Sequence, residues 1–83
     1  MTGPSGTPRT PLIPLLTRLW QTALGVEGIT PEENFFDLGG DSMTATAIAT
    51  DIARETGTDT AVRLIFDHPT IGELADALAA VAR

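Results

Sequence analysis

The chain has 83 residues, with five arginines, no lysine, eleven acidic residues and no cysteine, for a net charge of −6. That length lies below the usual size of a catalytic domain and allows one small core; the missing cysteines exclude disulfides, and a lone histidine, His68, cannot make a zinc site. The negative charge repels nucleic-acid phosphates and anionic membranes alike, so neither is expected as a partner, and it suits solubility or docking to basic proteins.

Residues 1–10, rich in glycine, proline and threonine and poor in apolar groups, read as a flexible tail or linker, leaving 11–83 as the folded domain. From Pro11 the period becomes helical: at about 100° per residue Leu12, Leu15, Leu16, Leu19 and Ala23 form one stripe, with Thr17, Arg18 and Gln21 facing away, up to a stop near Gly25. Trp20 lies at the edge of that stripe and reads as a core or boundary aromatic. The apolar run from Leu12 to Leu16 is interrupted by proline and too short for a signal core or a membrane span. The expectation is a soluble, cytoplasmic, monomeric protein.

Between Gly25 and Asp41 the sequence has no helical period and is rich in glycine, proline, acids and asparagine. It reads as a long loop, and Ile29, Phe35, Phe36 and Leu38 offer apolar anchors that would pack it down. Within it, Thr30-Pro31-Glu32-Glu33 has the composition of one helical turn, with threonine as cap. A second helical period begins at Ser42, where Ala45, Ile48, Ala49 and Ile52 line one face up to Gly57, the expected C-cap. Ala61 to Phe66 predicts a short helix of one or two turns, halted at Asp67-His68-Pro69 because a residue before proline is pushed out of the helical region. Thr70-Ile71-Gly72-Glu73 is a capping box that opens a last helix, with Ile71, Leu74, Ala75, Leu78 and Ala82 on one face. No segment alternates as a strand does. The fold class is all-α.

Chemistry concentrates in Asn34-Phe35-Phe36-Asp37-Leu38-Gly39-Gly40-Asp41-Ser42-Met43. A buried-looking aromatic pair and a flexible diglycine place one serine at a helix start, with no side chains at Gly39 and Gly40 to obstruct its hydroxyl. The free N–H groups and dipole of a helix N-terminus favour an anion such as a phosphodiester on Ser42, while Asp37 and Asp41 oppose it through screened repulsion. Local chemistry leaves a plainer alternative open, in which serine or aspartate only caps the helix and Gly-Gly only turns the chain. On the outer face of the second helix, Met43, Ala47, Thr50 and Arg54 cluster opposite the core stripe. A methionine among small residues is a surface that adapts to partners.

Asn34-Phe35-Phe36-Asp37-Leu38-Gly39-Gly40-Asp41-Ser42 resembles the core motif of peptidyl carrier proteins, the thiolation domains of nonribosomal peptide synthetases. Leu64-Ile65-Phe66-Asp67-His68-Pro69-Thr70-Ile71, with Leu74 and Ala75, resembles that family's second landmark, and the likeness covers nearly everything after residue 10. The resemblance implies a four-helix bundle with three main helices, a short third helix and a long ordered loop between the first two. It also implies that Ser42, flanked by Gly40 and Asp41, accepts 4'-phosphopantetheine from coenzyme A in a magnesium-dependent reaction of a separate phosphopantetheinyl transferase, and that the arm's thiol then carries an aminoacyl or peptidyl thioester. The domain would be a non-catalytic carrier serving an adenylation domain or enzyme and a condensation, epimerisation, thioesterase or tailoring enzyme. The corresponding docking residues would be Met43, Ala47, Arg63, Leu64 and Phe66, the last of which also suits a core position. Asp41 stands where many members that feed a condensation domain have histidine, so it does not assign the downstream partner.

Three rival readings remain at this stage. An acyl carrier protein of polyketide or fatty-acid synthesis shares the implied fold and arm but usually has a more acidic second helix, whereas here only Asp51 and Glu55 face Arg54. A serine hydrolase built on Ser42, His68 and an aspartate needs a pocket and an oxyanion hole that so short a chain hardly supplies. A noncovalent helical interaction module would use Ser42 only as a cap.

Overall fold

The computed structural model of the protein describes residues 9–57 and 59–81, with side chains placed over 12–57 and 59–80. These form four helices, α1 (Arg9–Leu24), α2 (Ser42–Thr56), α3 (Val62–Asp67) and α4 (Ile71–Val81). α1 packs on both α4 and α2, and the short α3 bridges α2 and α4. The only pairing of strand type among the described residues is an isolated bridge between Asn34 and Thr70.

α1 opens at Arg9, two residues ahead of the expected start at Pro11. Proline is tolerated there because the first four N–H groups of a helix have no intrahelical acceptor, so Pro11 gives up nothing. The rest of the expected tail, and Ala82 of the expected α4 face, lie outside the described residues. Leu12, Leu16 and Leu19 are buried as the stripe requires, while Leu15 and Ala23 are half-buried against the core. Trp20 is fully enclosed, the core outcome of the core-or-boundary reading, and its indole N–H has no hydrogen-bond partner among the described residues.

In α2 the four residues of the expected stripe, Ala45, Ile48, Ala49 and Ile52, are the buried ones. Gly57 ends the helix at φ 73°, its N–H bonded to the Ala53 carbonyl, a left-handed cap open to glycine without strain. α3 runs one residue later than the Ala61–Phe66 reading, so Asp67 is still helical and the chain leaves the helix at His68, with Ile65 buried. α4 buries Ile71, Leu74, Ala75 and Leu78. Its cap is the Thr70 hydroxyl, which accepts from Glu73 N–H at 3.1 Å. Each buried large aliphatic side chain contributes roughly 1.5–3 kcal/mol, so a chain with no disulfide depends on these converging faces.

The segment between α1 and α2 is ordered by fixed anchors at both ends. Gln21 Oε1 accepts from the Gly28 and Ile29 N–H groups at 3.0 and 3.2 Å. That gives Gln21 a structural role that its outward sequence position concealed. Farther along, Phe35 N–H donates to the Pro69 carbonyl at 2.6 Å and Gly72 N–H to the Pro31 carbonyl at 3.0 Å, tying the loop to the α3–α4 junction. Ile29 and Phe35 are buried, and Leu38 packs partly against the core. Thr30 to Glu33 makes a hydrogen-bonded turn, not the expected helical turn, and Glu33 does the capping by accepting from Thr30 N–H at 2.8 Å.

Phe36 departs from expectation: it is 46% exposed. Asn34 Oδ1 accepts from Phe36 N–H at 2.8 Å, an Asx turn that reverses the chain between the two phenylalanines. Only Phe35 can then point inward.

Candidate functional site

The α2 N-terminus is built from the loop side by Phe35, Gly39 and Gly40, and from the helix side by Asp41 to Thr44. Phe35 closes a tight turn with its carbonyl, which accepts from Leu38 N–H at 3.2 Å and Gly40 N–H at 3.0 Å. Gly39 takes φ 94°, a conformation that side chains other than glycine's adopt at a cost. The two glycines therefore differ in kind. Gly40 lies outside the left-handed region, yet any Cβ added there would overlap the ring of Phe35.

Asp41 is the N-cap. Its backbone is extended (φ −142°), and its Oδ1 accepts from both Thr44 N–H at 2.9 Å and the Thr44 hydroxyl at 2.8 Å. These bonds, led by the Thr44 amide, stabilise the carboxylate and hold the Asp41 carboxyl below the usual carboxylate range. Ser42 is thereby relieved of capping. It is the first residue of α2 and exposed, and its hydroxyl has no hydrogen-bond partner among the described residues. No bond from Ser42 to His68 is present, so the hydrolase arrangement is not formed; the backbone N–H of His68 closes α3 on the Leu64 carbonyl at 2.9 Å.

Around this point the structure gathers some expected residues and separates others. Met43 is 81% exposed and Ala47 is exposed one turn on, with Thr50 and Arg54 continuing the same outer face. The threonines of α2 keep their hydroxyls to themselves: Thr46 donates to the Ser42 carbonyl at 2.8 Å and Thr50 to the Thr46 carbonyl at 3.0 Å. On α3, Arg63 is exposed and pairs with Asp67 at 3.5 Å, while Leu64 packs partly into the core.

Phe66 is exposed and not core, and it stacks on Phe36 with ring centroids 5.7 Å apart and an interplanar angle of 11°. That stack joins α3 to the loop before Ser42. Phe36 in turn meets Phe35 edge-on at 5.5 Å, and Phe35 meets Trp20 edge-on at 5.2 Å, so an aromatic series runs from core to surface. Periodicity could not pick Phe36 out for this surface, since the residue before it is also phenylalanine and a loop has no period. Its only signal was the asparagine two residues earlier.

Among the described residues no group of histidine and acidic side chains is placed to hold a metal ion, and no helix is long and apolar enough to cross a membrane. An exposed hydroxyl at the head of a helix suits a covalently attached phosphate group, because the first-turn N–H groups that Asp41 does not use favour its charge.

Comparison with known proteins places the chain in a family. Residues 14–78 match the family model described as a phosphopantetheine attachment site. A probable non-canonical nonribosomal peptide synthetase of Salinispora arenicola, CymA, is 42% identical over 79 residues, 94% of this chain but 1% of that protein. The chain likewise spans 1–2% of the linear gramicidin synthase subunits it matches. In structure it is similar to an active-site mutant peptidyl carrier protein, at TM-score 0.82 and 31% identity, covering 98% of this chain and 90% of that one. It is also similar to a chain of the complex of the phosphopantetheine transferase Sfp with coenzyme A and a peptidyl carrier protein, at TM-score 0.79 and 31% identity, covering 96% and 99%. The chain belongs to the phosphopantetheine attachment-site family, among the peptidyl carrier proteins of nonribosomal peptide synthetases.

Proposed function

We propose that Ser42 is the residue that receives 4'-phosphopantetheine from coenzyme A, and that the domain acts as a non-catalytic carrier. The observation that carries this reading is the division of labour at the α2 start, where Asp41 caps and the exposed Ser42 hydroxyl is left without a partner among the described residues. A separate transferase supplies magnesium and the base that takes the hydroxyl proton; Ser42 Oγ bonds the phosphorus of the phosphopantetheine as the pyrophosphate bond of coenzyme A breaks and adenosine 3',5'-bisphosphate leaves, and Gly39 and Gly40 leave the approach clear of side chains. Once attached, the group provides a flexible tether ending in a thiol, the atom that bears the acyl cargo. The chain's own part is to hold the attachment point at the head of a packed helix.

Met43, Ala47 and Phe66, with Arg63 and Leu64 at the margin, are the surface we assign to docking of the transferase, the adenylating enzyme and the downstream condensation, epimerisation, thioesterase or tailoring enzyme. The exposure of Met43 and of the Phe36–Phe66 stack supports this assignment. The cytoplasm is the compartment that suits a chain modified from coenzyme A. Incubation with coenzyme A, magnesium and a broad-specificity transferase is expected to add one phosphopantetheine by intact mass, and Ser42→Ala to remove the addition. An unmodified wild-type chain would sink the carrier reading. Met43→Asp should fold normally and load more slowly with its adenylating partner; loading at the wild-type rate would take Met43 out of the interface.

A further inference from the structure

We infer that Phe35 is a positioning residue for Ser42, acting through a ring-to-backbone contact that only glycine at 40 permits; this inference rests on Ser42 being the attachment residue. Three observations converge. Phe35 has no exposed surface and is held edge-on by Trp20 at 5.2 Å, and its backbone is fixed by the bond to Pro69 and the two it accepts from Leu38 and Gly40. The three atoms nearest a Cβ on Gly40 all belong to the Phe35 ring, within 2.6 Å or less, while no left-handed φ demands glycine there. Gly40 is followed directly by Asp41, whose carbonyl accepts the first backbone bond of α2 from Ala45 N–H at 2.9 Å.

The ring therefore sets the height at which the chain enters the helix. Phe35 lies in the core and touches no substrate, but a shift of its ring moves Gly40, then the Asp41 cap, then the serine one residue later. Close-packed interiors transmit such displacements because no void absorbs them. Gly39 shows the contrast: a Cβ there meets nothing within 4 Å, so within the domain its requirement is conformational.

The test is transferase kinetics on the full chain with coenzyme A, for wild type, Gly40→Ala, Phe35→Leu and the double variant, with helicity and unfolding midpoint measured for each. Gly40→Ala is expected to lower kcat at least tenfold while remaining folded at the assay temperature. Phe35→Leu should lower it several-fold. The double variant should be modified faster than Gly40→Ala alone, because the smaller side chain makes room for the added methyl, and such non-additivity is the signature of direct contact. Trp20, the single tryptophan of the chain, reports the ring: its emission should shift in Gly40→Ala and move back in the double variant.

Where Gly40→Ala yields too little folded protein, the comparison of Phe35→Leu with wild type decides. Wild-type kcat in either single variant, or a double variant no faster than Gly40→Ala, overturns the inference. Failure of the wild-type chain to be modified at all would instead overturn the attachment reading, so the two failures are distinguishable.

Discussion

Replacing Ser42 by alanine separates the two roles that a serine at a helix start can have. Loss of a true side-chain cap costs about 1 kcal/mol, which in a domain of this size lowers the melting temperature by about 4–8 °C. Ser42 gives up no hydrogen bond, because both bonds of the cap are accepted by Asp41. Alanine also has the better helix propensity, which offsets the lost hydroxyl further. The expected change in stability is therefore within about 0.5 kcal/mol of zero, a shift of no more than about 2–4 °C, together with complete loss of phosphopantetheine uptake. Thermal and urea unfolding, paired with intact mass after transferase treatment, measure both. A destabilisation of about 1 kcal/mol or more would mean that Ser42 shares the capping, and retained uptake would mean that the attachment atom lies elsewhere.

The remaining predictions concern how the site is held. Asp41→Asn keeps a capping oxygen but cannot ionise. Because the folded-state pKa of Asp41 is depressed, the ionised cap stabilises above the unfolded-state value of about 3.9 and its contribution is lost as pH falls through the lower folded-state value. Urea midpoints should thus favour wild type near neutrality and converge with Asp41→Asn on acidification below about pH 4; a gap independent of pH would refute the charge argument. Gly39→Ala, at φ 94°, should cost roughly 1–2 kcal/mol with Gly39→Asn less damaging, read by urea unfolding, and equal costs would refute a conformational origin. Gln21→Ala should speed amide exchange at Gly28 and Ile29, whose N–H groups it accepts; unchanged exchange there would show that this anchor does not order the loop.

Helical faces were legible in the sequence because burial repeats with the helix. Ala45, Ile48, Ala49 and Ile52 of α2, and Ile71, Leu74, Ala75 and Leu78 of α4, are buried as their spacing requires. Gly57 and Thr70 were legible for a related reason, since caps have chemistry of their own. Phe36 was misread because hydrophobicity alone cannot choose between adjacent phenylalanines: the choice is made by the Asn34 turn and by the bond from Phe35 to Pro69, a residue 34 positions away in the chain. For Trp20 the choice between core and boundary needed Phe35, which meets it edge-on from the loop and which a one-helix projection omits. Whether Asp41 or Ser42 caps could not be read either, as both are good cap residues and the decision rests on one backbone angle.

The inward-turned hydroxyls of Thr46 and Thr50 have a consequence for traffic at this surface. Their protons are committed to the Ser42 and Thr46 carbonyls, so beside Met43 and Ala47 these two threonines have no hydroxyl donor left to offer. Such a surface offers a visitor fewer hydrogen-bond donors than its composition suggests. On the docking assignment proposed above, contact area would then count for more there than a pattern of hydrogen bonds from these two threonines.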